Sequence, residues 1–562
     1  PLRMKGFFLL FFLCSSIRLF AQSESIYLDT GWTFHKVGAP RWLTAKVPGT
    51  VHTDLMDNHI LRDPFFGTDE QKALWVNDCD WEYKTHFPDP FPVREDLHPD
   101  YLQFEGLDTY ADVYLNEEKI LEADNMFRCW VVNVTGKFKQ NNELRIVFHS
   151  AVHRADSLQQ AARPLIRPCE NSRNYIRKAQ FHFGWDWAPQ LHSIGIWKRI
   201  SIRTHIVEAA QARYSGVRLK QEEDAVGRSF YFEKEGTPIY MQGANWVPAD
   251  VFLPRVSREK YRSLLCAAKE AHFNMLRVWG GGVYEDDAFY DLCDSLGIYV
   301  WQDFMFAGAM YPADSHTLNS MKQEAIDNIL RLRKHPCIVL WCGNNEISEA
   351  WNNWGWQKQY GIGKEDSVFL WNEYQQVFEE LLPSLVKQYD PQRDYIPGSP
   401  AIGWGRKESM THGDSHYWGT WWGREPIQVL KEKIPRFMSE FGMQAMPNME
   451  SLIKFTRNQD LDTNSDVLKQ HQKHPTGYQT LNYYLRTEQI PFHDFSSWVN
   501  ATQELQARTL KTAIEAQRNS GGRCMGTLLW QFNDCWPVCS WSIVDYYGAK
   551  KKAYYEVKKA FE

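Results

Sequence analysis

The chain has 562 residues, 43% of them hydrophobic, which is more than one ordinary core absorbs, so two or more domains are expected. A formal net charge of −6 and a pI near 6.3 leave no basic footprint, which argues against nucleic acid as a partner. Aromatic residues reach 15%, with 24 Trp and 26 Tyr, whose flat apolar faces and polar edges suit pyranose rings as well as cores.

At the N-terminus, Met4-Lys5, the apolar run Gly6 to Leu13 and the cleavage-like Leu19-Phe20-Ala21 read as a signal peptide over residues 1–21. The run is too short to span a bilayer, and Cys14 lacks a small residue before it, so no membrane anchor is expected. Such a leader implies export, periplasmic or secreted, or lysosomal in a eukaryote. Ten further cysteines show no Cys-x-x-Cys spacing and predict no disulfide. Cys266, Cys293, Cys337 and Cys342 fall in apolar patterns and are expected to be small buried hydrophobes. Asn133-Val-Thr135 and Asn500-Ala-Thr502 are glycosylation sequons, relevant only in a host that modifies them.

Residues 22–206 show short alternating runs broken by Gly, Pro, Asn and Asp, such as Tyr110 to Leu115 before Asn116, and Leu144 to Phe148. That pattern predicts an all-β sandwich. Residues 207–237 form a polar bridge containing Lys220-Gln-Glu-Glu-Asp224, expected to be a linker with one candidate strand at Ser229 to Phe232.

Over 238–562 short apolar strands alternate with helices, which predicts parallel α/β architecture. Eight strands are expected: Ile239 to Gly243, Asn274 to Trp279, Ile298 to Asp303, Ile338 to Gly343, Tyr395 to Gly398, a weak one near His416, Phe437 to Glu440, and Gly526 to Gln531. Ser257 should cap a helix that presents Tyr261, Leu264, Leu265 and Ala268 on one face. Ala325, Ile326, Ile329 and Leu330 repeat that spacing before His335-Pro336 stops the next helix. Eight strands fit a (β/α)8 barrel. A doubly wound sheet is the rival, disfavoured because polar residues close several different strands at their C-terminal ends, where barrel enzymes place their chemistry.

Two of those strands end in carboxylates: Leu340-Trp-Cys-Gly-Asn-Asn-Glu346 and Phe437-Met-Ser-Glu440-Phe-Gly442. A glycosidic bond breaks through an oxocarbenium-like state that needs an acid on the leaving oxygen and a carboxylate at the anomeric carbon, so two Glu held at different pKa values would serve. A structural ion pair is the plain alternative for either one. Arg277, flanked by Leu276 and Val278, is expected to be buried. His412 and His416 sit four apart, but Gly413-Asp414-Ser415 between them opposes the helix a zinc motif requires. Gly280-Gly-Gly-Val-Tyr-Glu285 lacks the third glycine of a dinucleotide loop, and there is no nucleophile elbow or P-loop. Neither a metal nor a cofactor is expected.

Several stretches together resemble glycoside hydrolase family 2, and within it the β-mannosidases: Val47 to Leu55, Gly106 to Asn116, Asp124 to Arg128, His182-Phe-Gly-Trp-Asp-Trp187, Leu276-Arg-Val-Trp-Gly-Gly-Gly282, Trp301 to Phe306 and Trp530 to Pro537. The resemblance implies a jelly-roll-like sandwich followed by a (β/α)8 TIM barrel, acting on terminal β-mannosides with retention of configuration. Glu346 would be the acid/base and Glu440 the nucleophile, their carboxyls about 5 Å apart. Asn345 would bond the sugar 2-hydroxyl, and Arg277 would hold Glu440 ionised. Trp185-Asp186 would reach from the first domain to the sugar hydroxyls. Trp279, Trp354, His416 and Trp418 would line the pocket, with Trp530 as its floor. Another family 2 specificity, such as glucosaminidase or galactosidase, and a non-catalytic carbohydrate binder are the alternatives. Where the family usually inserts an immunoglobulin-like sandwich, this chain has only residues 207–237.

Overall fold

The computed structural model describes residues 25–92, 99–162 and 165–562, so the signal-peptide reading lies outside the described residues. The first domain is two facing antiparallel sheets. The larger has six strands in the order Leu43–Thr44, Thr33–Lys36, Trp81–Pro88, Asn141–His149, Tyr110–Leu115 and Glu118–Ala123. The smaller has four, Ile26–Tyr27, Ile200–Arg203, Tyr101–Phe104 and Trp130–Asn133. Strict alternation along Asn141–His149 turns Leu144, Ile146 and Phe148 into the core beside Phe34, Trp81 and Tyr83, as a two-residue period requires.

The second domain is one eight-stranded parallel sheet curled into a barrel. Its strands are β1 (Met241–Trp246), β2 (Met275–Val278), β3 (Tyr299–Asp303), β4 (Ile338–Cys342), β5 (Asp394–Ile396), β6 (Asp414–His416), β7 (Phe437–Glu440) and β8 (Gly526–Leu529). The order of pairing is β5-β4-β3-β2-β1-β8-β7-β6. The seam between β5 and β6 is bridged by the segment after β5: the Ala401 amide donates to Asp414 Oδ1 at 2.7 Å and the Trp404 amide to the His416 carbonyl at 3.0 Å. The Arg258–Glu270 helix is capped by Ser257 and buries Tyr261, Leu264, Leu265 and Ala268, as its spacing predicts.

Four expectations are corrected. Residues 207–237 are not a free linker, because Val217–Lys220, Tyr231–Lys234 and Thr237–Ile239 form a three-stranded antiparallel sheet against the N-terminal end of the barrel. Phe230 stacks on Trp301 with centroids 5.7 Å apart, and Phe230 and Phe232 pack edge-on to Phe437. Apolar side chains at alternate positions of that short hairpin bury themselves only by closing the barrel floor. The first barrel strand accordingly begins at Met241 rather than Ile239. On the Ser315–Leu332 helix the buried face is Met321, Glu324, Ala325, Asn328, Ile329 and Leu332, with Ile326 and Leu330 only partly covered. Its polar members face the first domain. Cys266 is exposed, whereas Cys293, Cys337 and Cys342 are buried.

The two domains share a continuous apolar core. Arg177 of the first domain forks onto Glu324 at 2.8 and 2.7 Å and donates to the Met305 carbonyl at 2.8 Å, its guanidinium lying 3.8 Å from the Phe306 ring centre. Asn125 reaches Glu324 at 2.9 Å, and Arg173 donates to the Ala307 and Gly308 carbonyls at 2.9 and 3.0 Å. These bonds fix the irregular stretch over residues 165–199 against the mouth of the barrel. Among the described residues no helix is long and apolar enough to cross a membrane.

Candidate active site

The polar ends of seven strands or strand-end turns converge at the C-terminal mouth of the barrel. Arg277, closing β2, is fully buried and all five of its N–H groups are matched. Nη1 donates to Glu440 Oε1 at 2.6 Å and to Asn245 Oδ1 at 3.0 Å. Nη2 donates to Asp303 Oδ2 and Asn345 Oδ1, both at 2.8 Å, and Nε to Asp303 Oδ1 at 3.3 Å. Asn245 cannot turn, because its amide nitrogen donates to the Ser439 and Leu529 carbonyls. The result is a Glu440 carboxylate held by the guanidinium through one oxygen, while Oε2 lies 3.3 Å from His416 Nδ1.

Glu346 follows β4 at φ 61°, a left-handed conformation that costs a residue with a side chain about 1–3 kcal/mol and tends to mark functional sites. Neighbouring bonds hold it there: the Glu346 amide donates to the Ser399 carbonyl at 2.7 Å, and the Ile347 amide to Asn344 Oδ1 at 3.1 Å. The chain passes so close to β5 that a Cβ at Gly343 would collide with the Pro397 carbonyl oxygen. His416 joins the two acids, with Nδ1 at 2.8 Å from Glu346 Oε1 and 3.3 Å from Glu440 Oε2. One oxygen of each Glu and one His416 ring nitrogen all lie within 4.8 Å of one another.

Burial pushes both carboxyls up, Glu346 and Glu440 each to about 7. They titrate as a pair, and the proton that leaves first is that of Glu440, since the Arg277 guanidinium donates to it directly. Burial likewise lowers His416 to about 4, so its ring is neutral at ordinary pH.

Around this pair stand aromatic rings. Trp279 is packed edge-on by Trp185 at 4.9 Å, Trp187 at 5.4 Å and Trp530 at 5.5 Å between centroids. Asp186, half-buried, has its carboxyl raised to about 8, first by burial and then by the charges of Glu346, Glu170 and Glu440. Three carboxyls close enough to raise one another offer both acceptors and, while protonated, donors, which suits a ligand rich in hydroxyls. Trp418, half-buried, packs edge-on to Trp541 at 6.0 Å. Trp354 is 48% exposed, and its ring meets Trp356 and none of the four rings clustered on Trp279 among the described aromatic contacts.

A divalent ion could bridge Glu346, His416 and Glu440 by distance alone, but the Arg277 guanidinium already supplies the positive charge on Glu440. Asp291, Asp294 and His335 form a second such group, in which Asp294 is occupied by the His335 ring and the Cys337 amide, both at 2.8 Å. His412 lies away from His416, with its ring beside Gly227. Four residues in the network were not anticipated: Asp303, Asn245, Ser399 and Asp414. Asp303 and Asn245 carry the same signal as Glu346, a polar residue closing a buried strand. Nothing local marks Ser399 or Asp414.

Residues 32–198 match the model of a glycosyl hydrolase 2 galactose-binding domain-like family. The chain is 33% identical to beta-mannosidase B of Neosartorya fischeri over 96% of its own length and 77% of the relative's. A similar match, also at 33%, covers 95% of this chain and 76% of beta-mannosidase B from Aspergillus terreus. In the first of these the aligned span of 662 residues exceeds the 562 residues of this chain, so the relative carries internal residues with no counterpart here. Among solved structures, the β-D-mannosidase of Dictyoglomus thermophilum superimposes with a TM-score of 0.88 at 34% identity, over 96% of this chain and 78% of that one. An exo-chitosanase from Amycolatopsis orientalis, at 16% identity and a TM-score of 0.73 over 96% and 74% of the two chains, shares the fold.

Proposed function

The chain belongs to glycoside hydrolase family 2, among its β-mannosidases, and from that premise we propose how its own residues remove a terminal, non-reducing β-mannose by double displacement. Glu440 Oε2 attacks the anomeric carbon while Glu346 gives its proton to the leaving oxygen, forming a glycosyl ester. Glu346, now a carboxylate, takes a proton from water, and the resulting hydroxide breaks the ester with retention. The observation that carries this reading is the asymmetric surroundings of the two acids: Arg277 touches Glu440 and not Glu346. Asn345 offers its amide nitrogen to Glu346 Oε2 at 3.3 Å and to a sugar hydroxyl nearby, because its oxygen is taken by Arg277.

Trp185 and Asp186 come from the first domain and close one side of the pocket against Trp279. A pocket closed there admits a chain end and no interior sugar, which is the basis of the exo reading. Asp186 would accept hydrogen bonds from sugar hydroxyls, and a sugar of the wrong configuration would leave that half-buried acceptor poorly paired once the bound sugar excludes water.

The test is hydrolysis of 4-nitrophenyl β-mannoside, β-glucoside, β-galactoside and β-glucosaminide by the purified chain, beside Glu346→Gln and Glu440→Gln. Mannoside turnover is expected to dominate, and loss of the acid/base is expected to slow it by about 10²–10⁴-fold. Preference for another glycoside would replace the specificity, and binding without turnover would replace the enzyme reading. Glu346 must keep its proton while Glu440 has lost its own, so activity should pass through a maximum, falling on the alkaline side as Glu346 ionises and on the acid side as Glu440 is protonated.

A further inference from the structure

The reaction accounts for one side of His416; its other ring nitrogen leads away from the pocket into a buried chain of bonds. His416 Nε2 lies 3.0 Å from Ser399 Oγ, and Ser399 Oγ lies 2.6 Å from Asp414 Oδ2. Ser439 Oγ also reaches Asp414 Oδ2 at 2.7 Å, and the Ala401 amide reaches Oδ1 at 2.7 Å. Ser399, Asp414, Ser439 and His416 are all buried.

The protons in this chain can be counted. A carboxylate only accepts, so the single proton of the Ser399 hydroxyl is committed to Asp414. What Ser399 then offers His416 is an oxygen lone pair, and the ring nitrogen facing it must carry the hydrogen. Arg277 Nη1 lies 3.4 Å from the same nitrogen, but both of its hydrogens are already given to Glu440 and Asn245. A neutral imidazole with its hydrogen on Nε2 has a bare lone pair on Nδ1. That lone pair points at Glu346 Oε1 across 2.8 Å.

We propose that Asp414 and Ser399 are positioning residues that lock His416 in the Nε2–H tautomer, so that its unprotonated Nδ1 accepts a hydrogen bond from Glu346 and keeps Glu346 loaded as the leaving-group acid. In the first step the proton passes from Glu346 to the glycosidic oxygen as that bond to the anomeric carbon breaks. The Glu346 carboxylate then faces a lone pair, which makes it a stronger base toward water in the second step. His416 neither gains nor loses a proton. The raised Glu346 agrees with this arrangement, and burial lowers His416 toward the neutral ring. The other charged groups around the pair are Arg277 on β2, Asp303 on β3, Glu440 on β7, Asp186 on the first-domain loop and Glu349 on the helix after Glu346. Arg406 pairs with Glu349 at 3.9 Å, while Arg277 is the positive group in contact with Glu440, and its hydrogens are all spoken for.

The inference rests on Glu346 being the acid/base, and the two can fail separately. The experiment is the pH profile of kcat/KM on β-1,4-mannobiose, whose sugar leaving group requires protonation, for the wild type, Ser399→Ala, Asp414→Asn, Ser399→Thr and Glu346→Gln. Asp414→Asn is nearly isosteric and turns an acceptor toward Ser399 into a donor, freeing the serine proton for Nε2 and moving the ring hydrogen to Nδ1. In Ser399→Ala the ring loses its Nε2 acceptor and can make the same change. Nδ1–H then stabilises the Glu346 carboxylate, so the alkaline limb should move to lower pH by about one unit in both variants. Ser399→Thr keeps the hydroxyl and should restore the wild-type limb. Alkaline limbs of Ser399→Ala and Asp414→Asn that superimpose on the wild type would overturn the proposal while leaving Glu346 in its role. Full turnover of mannobiose by Glu346→Gln would overturn the role itself, and the proposal with it.

Discussion

At the N-terminal end of the barrel, Met241, Met275, Phe437 and Leu528 meet Phe230 and Phe232 in an apolar floor; at the C-terminal end, the same strands finish in Asn245, Arg277 and Glu440, joined by directed hydrogen bonds. Apolar contact is non-directional, so the floor needs only the right volume, and a short hairpin from residues 217–239 supplies it. The mouth needs each donor matched to one acceptor, because a buried polar group left unpaired costs free energy. One residue belongs to both ends. Trp301 stacks on Phe230 below, while above it Nε1 donates to Asp303 Oδ1 at 3.0 Å and its ring lies 5.6 Å from the Arg277 guanidinium.

The contrast can be broken most forcefully at Arg277. Arg277→Met would strand Asp303 and Glu440 as buried charges, and we expect a stability loss of about 3–5 kcal/mol in urea denaturation together with loss of turnover. An unchanged unfolding midpoint would mean the mouth does not depend on the Arg277 guanidinium. At the floor, Phe232→Ala should cost about 3 kcal/mol of stability through lost burial and a residual cavity. There, kcat/KM measured on fully folded protein should stay at the wild-type value, and a tenfold fall would show that the floor shapes the chemistry. Trp301→Phe tests the joint between the two. It keeps the floor packing and deletes the bond to Asp303, and should cost about 1.5 kcal/mol, visible as roughly a tenfold fall in kcat. A stability loss with no change in kcat would place Trp301 with the floor alone.

Parts of the site were legible because they share one local signal, a polar residue closing an apolar strand. Glu346, Glu440 and Arg277 carry it, and so do Asp303 and Asn245, which the same argument could have included. Trp354 is implied as a pocket wall by the family resemblance, and the helix Ile347–Asn353 sets it apart from the buried rings around Trp279. The bridge read as a linker because its charged residues outnumber Phe230 and Phe232, and a count of residues does not reveal that two rings can seal a barrel.

Alternating apolar residues and the positions of strand-ending carboxylates are written along the chain, since the two-residue period of a strand and the parallel repeat of strand and helix are local properties; from them follow the two domains and the two catalytic candidates. The direction of each hydrogen bond is not local. Ser399 and, through it, Asp414 become partners of His416 only when the seam between β5 and β6 closes, and Asp186 comes near Glu346 and Glu440 only when the first domain docks on the barrel through Arg173, Arg177 and the shared apolar core. Tertiary structure therefore decided which atom holds which proton, because a donor meets its acceptor through space and not along the chain.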